Sequence, residues 1–171
     1  MGFINVEIKA RAKDHKKIRA LLLERKAEAK GTDHQVDTYF IVPNGRLKLR
    51  EGNIENSLIF YNRPNQEGPK LSEIVFHDFD PKENLKEVLV KALPTKVVVD
   101  KQREIYFIGN LKFHLDTVEG LGTFVEIEAR DYENVIGKEK LHEQCQEYVT
   151  LFGINEKDLL ATSYSDLLLE K

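Results

Sequence analysis

The chain opens on an alternation. In "NVEIKA", Asn5, Glu7 and Lys9 fall on one face of an extended backbone, and Ile4, Val6, Ile8 and Ala10 on the other. A period of two predicts a strand over residues 3–11. The same period recurs in "HQVDTYFIV" (34–42), "RLKLRE" (46–51), "SLIFYNR" (57–63), "LSEIVFHDF" (71–79), "KVVVDKQREIYFI" (96–108), "LKFHLDTV" (111–118) and "GTFVEIEAR" (122–130). The turn at Pro43 to Gly45, and turns at Gly109–Asn110 and Glu119 to Gly122, join these runs as antiparallel hairpins.

Helical periodicity interrupts the strands. Asp14 caps a helix that buries Ile18, Leu21 and Leu22 and runs toward Gly31. Asp80–Pro81 opens a second, with Leu85, Val88, Leu89 and Ala92 on one side and Pro94 as its stop. Residues 138–152 form a third through Leu141, Cys145, Tyr148, Val149 and Phe152, ending at Gly153. Short helical pieces follow in "NEKDLLA" and "SYSDLLLEK". No repeat or linker divides the chain, so residues 1–171 are expected to form one domain.

The polar faces of the strands carry unusual charge. Arg46, Lys48 and Arg50 share a face, as do Lys101 and Arg103, Tyr61 and Arg63, Glu126 and Glu128, and Lys112, His114 and Asp116. Two architectures accommodate this pattern, and periodicity leaves both open. One is an open sheet with a solvated face of mixed charge. The other is a closed barrel with its apolar surface under helices and its charges inside. Like charges repeated along one strand repel unless a polyanion lies between them. Glu7, Asp116, Glu126 and Glu128 suit a hard cation, Mg²⁺ or Mn²⁺. Cations opposite such a site describe a triphosphate pocket.

Composition narrows the field. The 171 residues are 41% hydrophobic and 32% charged, which is globular, and the net charge of −3 argues against a nucleic-acid partner. A lone cysteine, Cys145, excludes an internal disulfide framework. No apolar stretch is long enough to span a bilayer, the N-terminus enters a strand pattern at once, and Val6 breaks a myristoylation motif. A cytoplasmic location with no membrane partner is the expectation.

The motifs, in order, resemble a known family. "NVEIKA" is similar to the N-terminal ExExK signature of the CYTH superfamily, the triphosphate tunnel metalloenzymes, and "DTYF", "GRLKLRE", "KQREIYFIG", "LDTVEGLGTFVEIEA" and "SYSDLL" follow in matching order. The run from Lys101 to Glu128 looks closest to class IV adenylyl cyclases. The resemblance implies an α+β fold, a closed eight-stranded antiparallel β-barrel with helices packed outside. It implies Glu7, Asp116, Glu126 and Glu128 as metal ligands for Mg²⁺ or Mn²⁺. It implies Lys9, Arg46, Lys48, Arg50, Arg63, Lys101 and Arg103 as the phosphate cradle, with Glu7, Lys9, Arg50, Lys101 and Arg103 central to catalysis. Pro64 to Lys70 resembles a mobile lid, Lys70 reaching the phosphates on closure. A homodimer is compatible with it.

The sequence departs from the family pattern at its first position. Asn5 replaces the first glutamate of ExExK, and an amide lacks the charge of a carboxylate and cannot act as a base. Glu126 and Glu128 are both present, as in the triphosphatase branches. The function implied is conversion of ATP to cyclic AMP and pyrophosphate, with hydrolysis of inorganic, thiamine or nucleoside triphosphate as the alternative and non-catalytic binding as a third. Among single residues, Cys145 reads as a buried inert thiol and His114 as a structural hydrogen-bonding group. Tyr164 reads as packing across the tunnel end. His15, His34, His77, His142, Arg11 and Lys112 read as solvated.

Overall fold

A computed structural model describes residues 2–171. Its strands are β1 (Gly2–Arg11), β2 (Glu28–Phe40), β3 (Arg46–Glu51), β4 (Ser57–Asn62), β5 (Lys70–Asp78), β6 (Thr95–Ile108), β7 (Leu111–Val118) and β8 (Gly122–Asp131). Its α-helices are α1 (His15–Glu24), α2 (Leu85–Ala92), α3 (Lys138–Leu151) and α4 (Tyr164–Leu169). The strands close into one antiparallel barrel in the order β1-β5-β4-β3-β2-β6-β7-β8. The closed architecture therefore holds, and alternation now means inside against outside rather than water against core.

Register fixes which charges meet. Lys9 lies opposite Glu126, and Glu7 opposite Glu128. Arg50 faces Asp37, and Arg103 faces Asp116. The outward faces of β1, β7 and β8 carry Val6, Ile8, Phe113, Leu115 and Ile127, which pack with Ile18 and Leu22 of α1 and Leu141, Cys145 and Tyr148 of α3. Phe113 sits at the centre, its ring 4.7 Å from Tyr148 and 5.9 Å from Phe152. Cys145 is free and buried, and burial pushes its thiol up to about 12.

Three boundaries differ from the sequence expectation. The first helix ends at Glu24 instead of running to Gly31, Lys26 turns left-handed, and Glu28 already pairs with Phe107 of β6. Gly31 instead occupies a bulge of β2 at φ +107. Long-range pairing with β6 overrides the helical preference of "ERKAEAK". Asp80–Pro81 form a turn in which Asp80 accepts from the Lys82 amide, and the helix begins four residues later, after Asn84. The "NEKDLLA" tail is one 3₁₀ turn, Glu156–Asp158, whereas α4 starts on a full capping box between Ser163 and Asp166. Helices cover only part of the barrel. No residue of α2 is buried, and Leu71 and Val75 on the outer face of β5 are exposed. No helix among the described residues is long and apolar enough to cross a membrane.

Candidate active site

The barrel encloses a cavity of about 500 Å³. Of the residues selected from sequence, Glu7, Lys9, Lys48, Arg50, Arg63, Lys101, Arg103, Glu126 and Glu128 line it. They come from four strands, β1, β3, β6 and β8, each supplying alternate residues to the inside, with Arg63 one residue beyond β4.

The charges are organised as paired clusters. Asp37 accepts two bonds from Arg50, both 2.9 Å, and one from Lys101 at 2.7 Å, with Lys48 at 3.5 Å. Asp116 takes a bidentate pair from Arg103, both 2.7 Å, and the Tyr164 hydroxyl at 2.7 Å. Glu126 faces Lys9 at 3.4 Å, Arg103 at 3.5 Å and His114 Nδ1 at 3.1 Å. Glu128 is held by Arg130 at 2.8 Å, and Glu7 pairs with Arg63. Buried charges are tolerated only when paired this closely.

Three residues expected at the metal or the phosphates lie off the cavity wall. Asp116 is fully buried behind Arg103, with both carboxylate oxygens engaged. Arg46 stands at the C-terminal end, donating to Ser163 Oγ at 2.7 Å and pairing with Asp166 at 2.9 Å. Lys70 is buried, and its Nζ donates to the Ala161 carbonyl at 2.7 Å.

Other residues join the site that sequence reasoning passed over. Lys112 is not solvated but 3% exposed, because the β3–β4 loop folds over that end and brings Glu55 onto it. Asp33 holds that loop by accepting from the Ile54 and Glu55 amides, at 2.8 and 2.9 Å. His114, expected as a hydrogen-bonding group on the face of Asp116, meets Glu126 at 3.1 Å. His114, Glu126 and Glu128 each offer one ligand atom, all within 4.8 Å of one another. Asp37 shares the inward parity of Tyr39 on β2, and Arg130 that of Glu128 on β8, so both were legible in the alternation. Glu55 has no such signal, being a turn residue placed by the fold.

Electrostatics set the protonation states. Burial pushes Glu128 up, but Arg130, His114 and Lys112 outweigh it and hold the carboxyl at about 2. Burial likewise opposes ionisation of Glu126, yet Lys9 and Arg103 keep it well below the carboxylate range. Burial, then the Arg103 charge, drives His114 down to about 4, leaving a neutral imidazole. Burial pulls Lys101 down to about 7 despite Asp37. Burial and the Arg63 charge bring Lys70 to about 7 as well. Two ionised carboxylates and a neutral imidazole form a donor set that fits a divalent cation. The amide of Asn5, fully buried with neither Oδ1 nor Nδ2 partnered, adds an unused oxygen on the same face of β1 as Glu7.

Three comparisons bear on this site. The family model described as the CYTH domain matches residues 4–164. A Methanocaldococcus jannaschii protein named "putative adenylate cyclase" is 26% identical over 96% of this chain and 98% of its own length. A Vibrio parahaemolyticus structure titled as a "putative adenylate cyclase" superposes with a TM-score of 0.80 at 20% identity, covering 99% of each chain. A Hippeastrum protein, whose structure is titled as a "putative adenylyl cyclase" with a dominant triphosphatase activity, superposes at 0.64 with 16% identity, over 98% of this chain and 94% of that one. At those identities the two structures establish shared fold alone.

Proposed function

The chain belongs to the CYTH domain family, and on that premise we propose that it is a divalent-metal-dependent enzyme that acts on a triphosphate in the barrel lumen, by adenylyl-cyclase-like chemistry. The observation that carries this reading is that Lys9, Arg50, Lys101 and Arg103 line one cavity together with Glu7, Glu126 and Glu128. Glu126, Glu128 and His114 would hold the cation, with Glu7 opposite Glu128 in register. When bound, that cation supplies charge neutralisation on the phosphates and acidifies the attacking hydroxyl.

The chain's own residues do the positioning. Arg50 and Lys101 are oriented by Asp37, and Arg103 by Asp116 and, through it, Tyr164. Their unused N–H groups are preorganised for phosphate oxygens, which is where electrostatic catalysis gains most. The ribose 3′-oxygen of ATP forms a bond to the α-phosphorus, the bond to the pyrophosphate breaks, and the hydroxyl proton departs to a carboxylate or to water. Asp116, engaged on both oxygens, acts as a positioning residue here. The reducing interior of a cell suits the lone thiol.

Hydrolysis is the second reading, favoured by the presence of both Glu126 and Glu128 beside His114. A water held by those groups would attack the terminal phosphorus. Product analysis separates the two. Purified protein is incubated with ATP, and separately with inorganic triphosphate, with Mg²⁺ or Mn²⁺. Cyclic AMP plus pyrophosphate supports the first reading, and orthophosphate the second. Glu7→Gln, Glu126→Gln and Arg50→Ala each lower turnover by about 10²-fold. Full turnover in all three would remove the site from consideration. Binding without turnover would make Asn5 the cause, and Asn5→Glu the variant to restore activity.

A further inference from the structure

The ion pairs of the lumen fall into two geometries. Arg50–Asp37, Arg103–Asp116 and Lys9–Glu126 each join strands that are neighbours in the barrel, so they lie along its wall. Glu55–Lys112 does not. Glu55 stands in the loop between β3 and β4, and Lys112 stands on β7, four places from β4 around a ring of eight strands. One pair, at 2.5 Å, thus ties opposite walls together and crosses the lumen. Both residues line the cavity. A second contact reinforces the crossing. The Arg50 guanidinium gives Nε and Nη2 to Asp37 and turns Nη1 to Glu55 at 3.4 Å.

The crossing is built to stay in place. Besides the two amides held by Asp33, the Asn53 side chain accepts from the His34 amide at 2.6 Å, and Asn56 from the Gly52 amide at 3.0 Å. Gly52 packs so closely that a Cβ there would meet the Asp33 carboxylate at 2.6 Å. Gln35 donates from Nε2 to both Asp33 and Glu55, at 2.8 and 3.0 Å. Burial opposes ionisation of Glu55, but Lys112 and Arg50 outweigh it and hold the carboxyl well below the carboxylate range. A fixed anion therefore stands beyond Arg50, where the row of lumen cations would otherwise continue to Lys112. The other end of the row is covered by Tyr164 of α4, its hydroxyl on Asp116 and its ring centre 3.9 Å from Lys9 Nζ.

A phosphate chain lying on Arg103 and Arg50 meets Glu55 next. A further phosphate would press like charge on like charge, and would find Lys112 already neutralised. Placing a repelling group against the wrong ligand is one of the two ways a site becomes specific. We infer that Glu55 determines specificity for phosphate chain length: its pair with Lys112 bars the lumen, so that the site takes a triphosphate and excludes longer linear polyphosphates. The inference rests on the reading of the lumen as a triphosphate site. It runs against plain attraction, since a longer chain carries more charge for the same cations.

Calorimetric titration with inorganic triphosphate and with inorganic tetraphosphate, both in EDTA so that neither is turned over, tests it. The wild-type protein binds triphosphate at least ~10-fold more tightly than tetraphosphate. Glu55→Gln removes the charge, keeps the side-chain shape and frees Lys112, so it raises tetraphosphate affinity at least ~10-fold and moves triphosphate affinity by no more than about threefold. Glu51→Gln removes a like charge from the same strand, where Glu51 pairs with Lys86 at 2.8 Å, and leaves the preference as in wild type. An equal gain for both ligands in Glu55→Gln makes Glu55 a general repulsive charge and overturns the bar. Equal binding of the two ligands to wild type also overturns it and leaves the triphosphate site standing. Should Glu55→Gln bind neither, Glu55→Asp decides, since it keeps the charge and withdraws it by one methylene: a reduced preference for triphosphate upholds the bar, and an unchanged one overturns it. Binding of neither ligand to wild type overturns the triphosphate reading, and this inference with it.

Discussion

The barrel wall separates two interiors of opposite chemistry. Outside β1, β7 and β8, Val6, Phe113 and Ile127 are sealed under α1 and α3 in a cluster of buried apolar side chains. Inside the same strands, Lys9, Asp116 and Glu126 are buried nearly as deeply. The outer interior is held by apolar area removed from water. The inner one is held by ion pairs whose attraction has to offset the desolvation of every member. A chain selected for stability alone would fill the lumen with leucine and valine. Keeping charges there, each balanced by an internal counter-ion, makes a site that can exchange carboxylate for phosphate.

Asp37→Asn and Phe113→Ala put that contrast under the largest strain. Removing one partner of a buried pair leaves Lys101 and Lys48 uncompensated and Arg50 with only Glu55 at 3.4 Å, and costs about 3–5 kcal/mol. Truncating Phe113 costs about 3–5 kcal/mol by transfer and cavity formation. Chemical denaturation measures both. The two differ in rescue. Saturating inorganic triphosphate supplies the missing anion, so it raises the midpoint of Asp37→Asn by more than that of wild type and leaves Phe113→Ala with only the ordinary ligand shift. Equal rescue of both variants would break the counter-ion account of Asp37.

Proton linkage gives a smaller and sharper test. Lys70 and Lys101 are held near 7, so both are charged at pH 6 and largely neutral at pH 8. Affinity for inorganic triphosphate then falls as pH rises through 7, by up to about tenfold, through Lys101, which lines the cavity. Lys101→Arg flattens that fall relative to wild type, and because both proteins meet the same ligand, the ligand's own titration cancels. Stability moves the opposite way. A lysine depressed on folding binds its proton in the unfolded chain between roughly pH 7 and 10.4, so unfolding free energy of the ligand-free protein rises with pH across that window. A pH-independent affinity would remove Lys101 from the phosphate site.

Tyr164→Phe is milder still. It deletes the hydroxyl bond to Asp116 but leaves Arg103 bidentate, and costs about 1 kcal/mol in denaturation. Smallest of all is Lys91→Ala, which breaks an exposed i,i+4 pair with Glu87. It changes stability by less than about 0.5 kcal/mol and turnover not at all. A large effect there would mean that α2, with no buried residue, contributes more than its packing shows.

Much of the fold was legible because alternation is a local property. A period of two in "NVEIKA", "RLKLR" and "FVEIEAR" assigns each residue to one of two faces whatever its partners are. That is why so many lumen residues, from Lys9 to Glu126, can be grouped by parity. Positions governed by pairing were not legible. Gly31 looks like a helix stop, yet serves as a bulge, because Glu28 and Ala29 find partners on β6. Lys112 looks like a strand-end lysine, yet Glu55 closes over it from across the barrel.

The sequence by itself determined the strands, their two faces and the residue types on each, since steric alternation and hydrophobic period act over a few neighbours. Only the tertiary structure decided that the polar face is an interior. Closure of β1 against β8 and β5 sets Lys9 against Glu126, and register sets Arg50 on Asp37 and Arg103 on Asp116. It also gathers Ile59, Ile74, Phe76 and Phe3 into one uncharged wall. Charge and apolar surface act through distance, and distances between strands are fixed by closure, which no local window of sequence contains.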